Sequence, residues 1–217
     1  MEILKVLVGS HAHGLETPES DYDYRGVFVA PTSEILMLGA KPKTSVWIEG
    51  EEDNTSWELG HFLHLATHCN PTILETFLAP VESSTLKGDE LRALFPHVWN
   101  SRGVMDAFVG YGLNQRKKFL EDKDKRPNKY AAAYLRTLVN AWELLTTGTF
   151  TIRIADLSIG GDVRRFKEGN YDGKGDVINL CIEWEQRVRE AYDANPNKKT
   201  DIDKVNEFLL TVRRENW

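Results

Sequence analysis

Two apolar runs near the start of the chain are joined by a polar loop that carries chemistry at both ends. The first run, Val6-Leu7-Val8, ends in Gly9-Ser10, and the loop continues from His11 to Glu19. Ser20-Asp21-Tyr22-Asp23-Tyr24-Arg25-Gly26 then leads into Val27-Phe28-Val29. Residues 3–8 read as a short buried strand. Residues 22–29 read as a second, rich in β-branched and aromatic residues and stopped by Pro31. Side chains two apart on a strand share a face, about 6–7 Å apart, so this reading projects Asp21, Asp23 and Arg25 together. Two carboxylates that close raise each other's pKa unless a cation holds them ionised. A hard cation such as Mg²⁺ takes carboxylate oxygens along with substrate phosphates. Gly9, lacking a Cβ, lets the backbone approach a ligand closely. Its N–H, the Ser10 hydroxyl and the positive end of a following helical turn form a candidate phosphate cradle. No Gly-Lys-Ser/Thr follows, so this is not a Walker loop.

Gly-Ser, a loop of some ten residues and Ser-Asp-x-Asp-x-Arg-Gly-Val together resemble the signature of the DNA polymerase β-like nucleotidyltransferase superfamily. More closely, Gly9-Ser-His-Ala-His-Gly14 with Ser20-Asp-Tyr-Asp-Tyr-Arg-Gly26 resembles the RNA-repair-pathway polymerase β family of predicted nucleotidyltransferases. Asn70-Pro71 through Glu75, and Lys129-Tyr130 through Arg136, are also similar to that family, so the resemblance covers most of residues 1–155.

It implies an α/β (α+β) catalytic palm, a mixed β-sheet flanked by helices and followed by a helical C-terminal region. Residues 1–80 would form the palm and 81–217 a helical region packed on it. The Gly9-Ser10 turn, with Ser20, would hold the triphosphate of an NTP, ATP being the expected one, and three carboxylates would hold two Mg²⁺. Asp21 and Asp23 are two of the three, and Asp53 is the best fit for the third, because Trp57-Glu58-Leu59-Gly60 opens a helix as in the family. Glu51, in the same acidic run, is its rival. The resemblance also nominates Lys129 and Arg136 for nucleotide contacts, and Arg25 either touches phosphate or steadies a carboxylate. The implied reaction moves a nucleoside monophosphate to an acceptor hydroxyl and releases pyrophosphate. An RNA 3′ end is the favoured acceptor, a protein or small molecule the alternative. A binding module without turnover belongs to a different class of answer.

Beyond this block, residues 44–49 read as a strand and 58–69 as a helix whose apolar face is Leu59, Phe62, Leu63 and Ala66. His61, His64 and His68 lie on its other face. They are either a polar stripe or, with a further ligand, a zinc site. Proline disfavours helix in the residue before it and suits a first helical turn, so Asn70-Pro71 ends one helix and starts another that runs to Leu78. Glu75, in that helix, is assigned no chemistry. Ser84 to Phe95 and Arg102 to about Lys123 read as helices, the second carrying Arg116-Lys117-Lys118 toward Lys123, Lys125, Arg126 and Lys129. After Pro127, residues 129–147 have strong helical periodicity, with Arg136, Asn140 and Glu143 as a polar stripe, and Gly148 closes that helix. Residues 156–175, glycine-rich and holding Arg164, Arg165 and Lys167, read as a mobile loop over the site. Residues 177–194 and 202–214 read as an antiparallel helical hairpin.

Charge separates the halves. Residues 1–108 hold seven basic and sixteen acidic side chains, and 109–217 hold twenty and seventeen, within a net charge of −6. That balance argues against bulk, sequence-independent nucleic-acid binding. No apolar run approaches the ~20 residues that span a bilayer. Met1-Glu2 leads straight into a strand-like segment, so no secretory leader is expected. Cys69 and Cys181, far apart and without metal-site spacing, are expected to be reduced core thiols. A cytoplasmic protein is the expectation.

Overall fold

The computed structural model of this chain describes residues 1–47 and 54–217. Five strands form one mixed sheet in the order β3-β4-β2-β1-β5. They are β1 (Glu2–Val8), β2 (Asp23–Phe28), β3 (Ser45–Trp47), β4 (Thr55–Glu58) and β5 (Val81–Ser84). β1 runs antiparallel to β2 and β5, β2 parallel to β4, and β3 antiparallel to β4. Helices α1 (Gly9–His13), α2 (Thr32–Leu36), α3 (Leu59–Thr67) and α4 (Pro71–Leu78) belong to the sheet half. The helical part follows: α5 (Leu86–Ala93), α6 (Phe95–Val98), α7 (Ser101–Leu120), α8 (Pro127–Thr147), α9 (Gly160–Glu168), α10 (Gly173–Ala194) and α11 (Ile202–Glu215). This is the mixed sheet with flanking helices and a helical C-terminal region that the sequence implies. β5 comes after residue 80, so the sheet draws one strand from beyond the stretch read as the palm.

The alternation of β1 buries Leu4, Val6 and Val8, and Val27 of β2 joins them. One apolar cluster continues through Phe62 and Phe77 to Leu135 and Leu138 of α8 and Val188 of α10. The Asn70 side chain accepts from the N–H groups of Thr72 and Ile73 at 3.0 and 3.3 Å, capping α4 with Pro71 in its first turn, as a proline there favours. Gly148 ends α8 at φ +83°. Both cysteines are free and buried.

Several elements differ from the sequence reading. Residues 55–58, read as leading into a helix, pair with β2, and Glu58 becomes the N-cap of α3, accepting from Gly60 N–H at 2.7 Å. Partner-strand pairing outweighs local preference over so short a run. β5 is short, exposed along its length and without alternation, so its sequence carries no strand period. Gly9 to His13 forms the helical turn expected after Gly-Ser, at the head of a stretch otherwise read as loop. The presumed mobile loop at 156–175 holds α9, whose end is marked by Gly169 at φ +80°. α10 and α11 do not pair as a hairpin: α10 packs on α7 and α8, while α11 returns to α3 and α6.

Candidate active site

β1 ends where α1 begins, and the register sets Val8 opposite Asp23 and Val6 opposite Arg25. This brings the Gly-Ser turn beside the first residue of β2. Gly9 has φ +69°, and a Cβ there would stand 2.1 Å from Asp23 Oδ2, so both conformation and space call for glycine. α1 closes on Gly14, also at φ +69°.

A cleft of about 460 Å³ opens at this point, within the range of small-molecule sites. The sheet side supplies Gly9, Ser10, Asp23 and Arg25. α7 supplies Tyr111, Gln115 and Lys118, spaced i, i+4, i+7, and α8 supplies Lys129, Ala132, Ala133 and Arg136 at similar spacing, so each helix presents one face. α9 supplies Lys167, whose Nζ donates to Ser10 Oγ at 2.7 Å and to Leu15 O. Arg164, from the same helix, donates to Gly14 O. The helix read as a mobile loop thus clamps the Gly-Ser turn.

At the base of the cleft, His13 Nε2 donates to Glu75 Oε1 at 2.6 Å, and Arg136 Nη1 stands 3.7 Å from the same oxygen. Burial alone would raise the Glu75 carboxyl. Arg136, His13 and Arg25 outweigh it and hold the group well below the usual carboxylate range. Burial, reinforced by Arg136, pushes His13 down despite Glu75, so the ring is neutral at pH 7 and its Nε2–H faces the anion. Arg25 also donates to Thr72 O at 3.5 Å and lies over the Trp57 ring at 5.8 Å. Lys167 is lowered by its burial, then by Arg164 and Lys129 nearby.

The cleft lining carries the cations Arg25, Lys118, Lys129, Arg136 and Lys167 against the carboxylates Asp23 and Glu75. The cleft is locally positive on a chain of net charge −6, and so concentrates polyanions.

Of the residues nominated from sequence, Gly9, Ser10, Asp23, Arg25, Lys129 and Arg136 meet in this cleft. Asp21 and Ser20 do not line it. β2 starts at Asp23, because its partner β1 ends at Val8, so Asp21 precedes the strand and the shared-face argument does not reach it. Asp21 is exposed in a loop held by His11, which donates to Ser20 O at 3.0 Å and stacks on Tyr22 with ring centroids 3.9 Å apart. The Ser20 hydroxyl accepts from Thr17 N–H at 2.8 Å, shaping the turn. Asp53 and Glu51 lie outside the described residues. Asn54 accepts from Tyr24 N–H at 2.6 Å, one residue beyond Asp23.

Sequence reasoning gave no role to Glu75, Tyr111 and Gln115, left His13 open between an ordinary loop histidine and a phosphate or base contact, and put Lys167 in a loop over the site rather than on a helix. The i, i+4, i+7 pattern of Tyr111, Gln115 and Lys118 was a readable signal, whereas Glu75 gave none. His64 and His68 are exposed with rings 4.4 Å apart, and among the described residues no three His, Cys, Asp or Glu side chains gather around a point that could hold a metal. Of the polar stripe on α8, Arg136 faces the cleft, Asn140 is buried, and Glu143 instead accepts from Thr151 N–H at 2.9 Å.

Compared with known proteins, the chain matches the RNA repair pathway DNA polymerase beta family over residues 3–162 and belongs to that family. Membership suggests polymerase β-like nucleotidyltransferase activity. The chain is 25% identical over 232 residues to an uncharacterized protein, YcgL, of Bacillus subtilis (strain 168), covering 96% of this chain and 88% of that one. It is 29% identical over 136 residues to an uncharacterized 38.9 kDa protein of the nrdC-mobD intergenic region of Enterobacteria phage T4, covering 59% of this chain and 38% of that protein. Among the described residues no helix is long and apolar enough to cross a membrane.

Proposed function

We propose that the cleft binds a nucleoside triphosphate and passes its nucleoside monophosphate to the 3′ hydroxyl of an RNA, releasing pyrophosphate. The observation that carries this reading is the set of cations around the Gly9-Ser10 turn on an otherwise acidic chain. Ser10, Lys167 and Lys129 would hold the β- and γ-phosphates, and Arg25 and Arg136 the remaining charge. The Gly9 turn lets the chain approach the phosphates without a side chain in the way.

In the reaction the acceptor oxygen bonds to the α-phosphorus, the bond to the β-phosphate bridging oxygen breaks, and pyrophosphate leaves with that electron pair. The hydroxyl proton goes to a carboxylate, for which Asp53 is our candidate and Glu51 its rival. The donor set, carboxylate oxygens beside a phosphate-attracting cleft, suits a hard cation. Asp21, Asp23 and Asp53 would hold Mg²⁺, two ions in all, and the metal would supply charge that offsets the charge gathering on the reacting phosphate. Asp23 already stands against the Gly-Ser turn.

Two features support RNA as acceptor. Lys118 and Lys129 line the cleft, and Lys117, Lys123, Lys125 and Arg126 carry the basic run outward on exposed surface. Tyr22, 60% exposed and backed by His11, offers a flat ring beside the aspartates, and unpaired bases stack on such rings.

The test is incubation with each α-³²P-labelled NTP, Mg²⁺ and total RNA, in parallel with the same RNA whose 3′ diols periodate has destroyed. Label on intact RNA alone is the expected result. Label on protein would move the acceptor to a protein hydroxyl. NTP binding with no transfer to any acceptor would leave a nucleotide-binding module.

A further inference from the structure

The helical wall of the cleft presents a glutamine amide that no described group of the protein engages. Gln115 is 4% exposed yet lines the cleft, and among the described residues its side-chain amide has no hydrogen-bond partner. Its amide is not one of the fully buried, unpaired groups of the fold, so it is open to the cleft and free to engage a ligand there.

Position narrows the use. Lys118 Nζ lies 5.3 Å from the centre of the Tyr130 ring, and a Cβ on Gly112 would sit 3.4 Å from Tyr134. Gln115, between these two levels on α7, therefore stands opposite the Ala132-Ala133 step of α8. That stretch of wall is uncharged and small in side chain, bounded by Lys118 and Lys129 on one side and by Tyr111 and Arg136 on the other. It suits a flat, neutral group attached to a polyanion.

We propose that Gln115 reads the base of the bound nucleotide and selects adenine. This inference rests on the nucleotide reading above and goes beyond it by naming the residue that discriminates. Adenine offers a donor, N6–H, beside an acceptor, N7, and glutamine meets both with its carbonyl and its NH₂. Guanine presents two acceptors, N7 and O6, on that edge and would leave the glutamine carbonyl without a donor. Gln115 is a specificity residue and takes no part in the chemical step.

The experiment measures binding of ATP, GTP, CTP, UTP and 7-deaza-ATP, which lacks N7, to the wild type and to Gln115→Leu and Gln115→Glu. Wild type is expected to prefer ATP over GTP, and ATP over 7-deaza-ATP, by about 10-fold or more, as bidentate base contacts do. Gln115→Leu is expected to bind ATP and 7-deaza-ATP alike. Gln115→Glu, which still accepts from N6–H but has no donor for N7, is expected to keep the preference for ATP over GTP and to lose that for ATP over 7-deaza-ATP. Each readout is a ratio within one protein, so a reduced folded fraction does not imitate it. Equal binding of all four NTPs by the wild type, preference for another base, or a preference kept in Gln115→Leu would overturn this inference alone. No binding of any NTP would overturn the nucleotide reading and this inference with it.

Discussion

Asp23 and Gly9 occupy each other's space at the mouth of the cleft, and the site depends on that fit. In Gly9→Ala the new Cβ would meet Asp23 Oδ2 at 2.1 Å on a backbone already at φ +69°. A non-glycine residue in this region costs roughly 1–2 kcal/mol, and the carboxylate must also move. The variant is expected to fold with a lowered Tm and to lose at least 10-fold in nucleotidyl transfer, measured side by side on purified protein. Glu75 makes a different kind of prediction. It is the buried anion among Arg136, Arg25 and His13, and removing one partner of such a set costs about 3 kcal/mol. Its folded pKa lies below the unfolded value, so its contribution is intact above about pH 4.5 and is lost as pH falls toward the folded value. His13 is also depressed. The unfolded chain therefore takes up that proton first, and stability declines from about pH 6.5 downward. Urea unfolding from pH 8 to 3 is expected to show both limbs in the wild type, while Glu75→Gln should be less stable at pH 7 with a flatter limb below pH 4.5. An unchanged acid limb in Glu75→Gln would contradict the assignment of charge at that site.

Among the elements, α9 changes the picture most. The stretch around Arg164, Arg165 and Lys167 reads as loop because glycines flank it. The same glycines serve as well at the two ends of a nine-residue helix, Gly160 inside its start and Gly169 at its C-terminal turn. Local punctuation does not distinguish a loop from a short capped helix. What decides is the docking of Lys167 on Ser10 and of Arg164 on Gly14 O, 157 and 150 residues away in sequence. The β1–β2 pair was readable because two short apolar runs, Gly-Ser and Asp-x-Asp coincide within thirty residues. The strand start at Asp23, which leaves Asp21 in a loop, depends on where β1 ends and is not written locally. Glu75 was invisible for the same reason, since its partners come from α1, β2 and α8. Lys167→Met is expected to weaken NTP binding about 10-fold and, by freeing Ser10 Oγ and Leu15 O, to lower Tm as well. Titration with a fluorescent NTP checks it. Unchanged affinity would remove α9 from the phosphate site.

Taken whole, the molecule is tied at its far end as well as at the cleft. Arg213 of α11 meets Glu58 of β4 at 2.7 Å, with side chains 15% and 8% exposed, and Thr32 Oγ1 donates to Arg213 O at 2.6 Å. α11 lies beyond the residues that match the family, yet it closes on the sheet that carries Asp23. The division into a palm at 1–80 and a packed helical region at 81–217 remains our proposal, and the continuous apolar cluster favours one cooperative unit. Arg213→Ala, which strands the Glu58 charge, is expected to lower unfolding free energy by about 3 kcal/mol in a single urea transition. Two separated transitions would instead argue for independent units.

The central claim is that the cleft transfers the α-phosphorus of a nucleotide through a site that needs Asp23. Its most direct test supplies ATP labelled at either the α- or the γ-phosphorus, with Mg²⁺ and RNA, to the wild type and to Asp23→Asn. The account predicts that α-label enters RNA with equal release of pyrophosphate, that γ-label does not, and that Asp23→Asn loses at least 10³-fold in rate while keeping its fold by circular dichroism. Transfer of γ-label, or full transfer by Asp23→Asn, would contradict it.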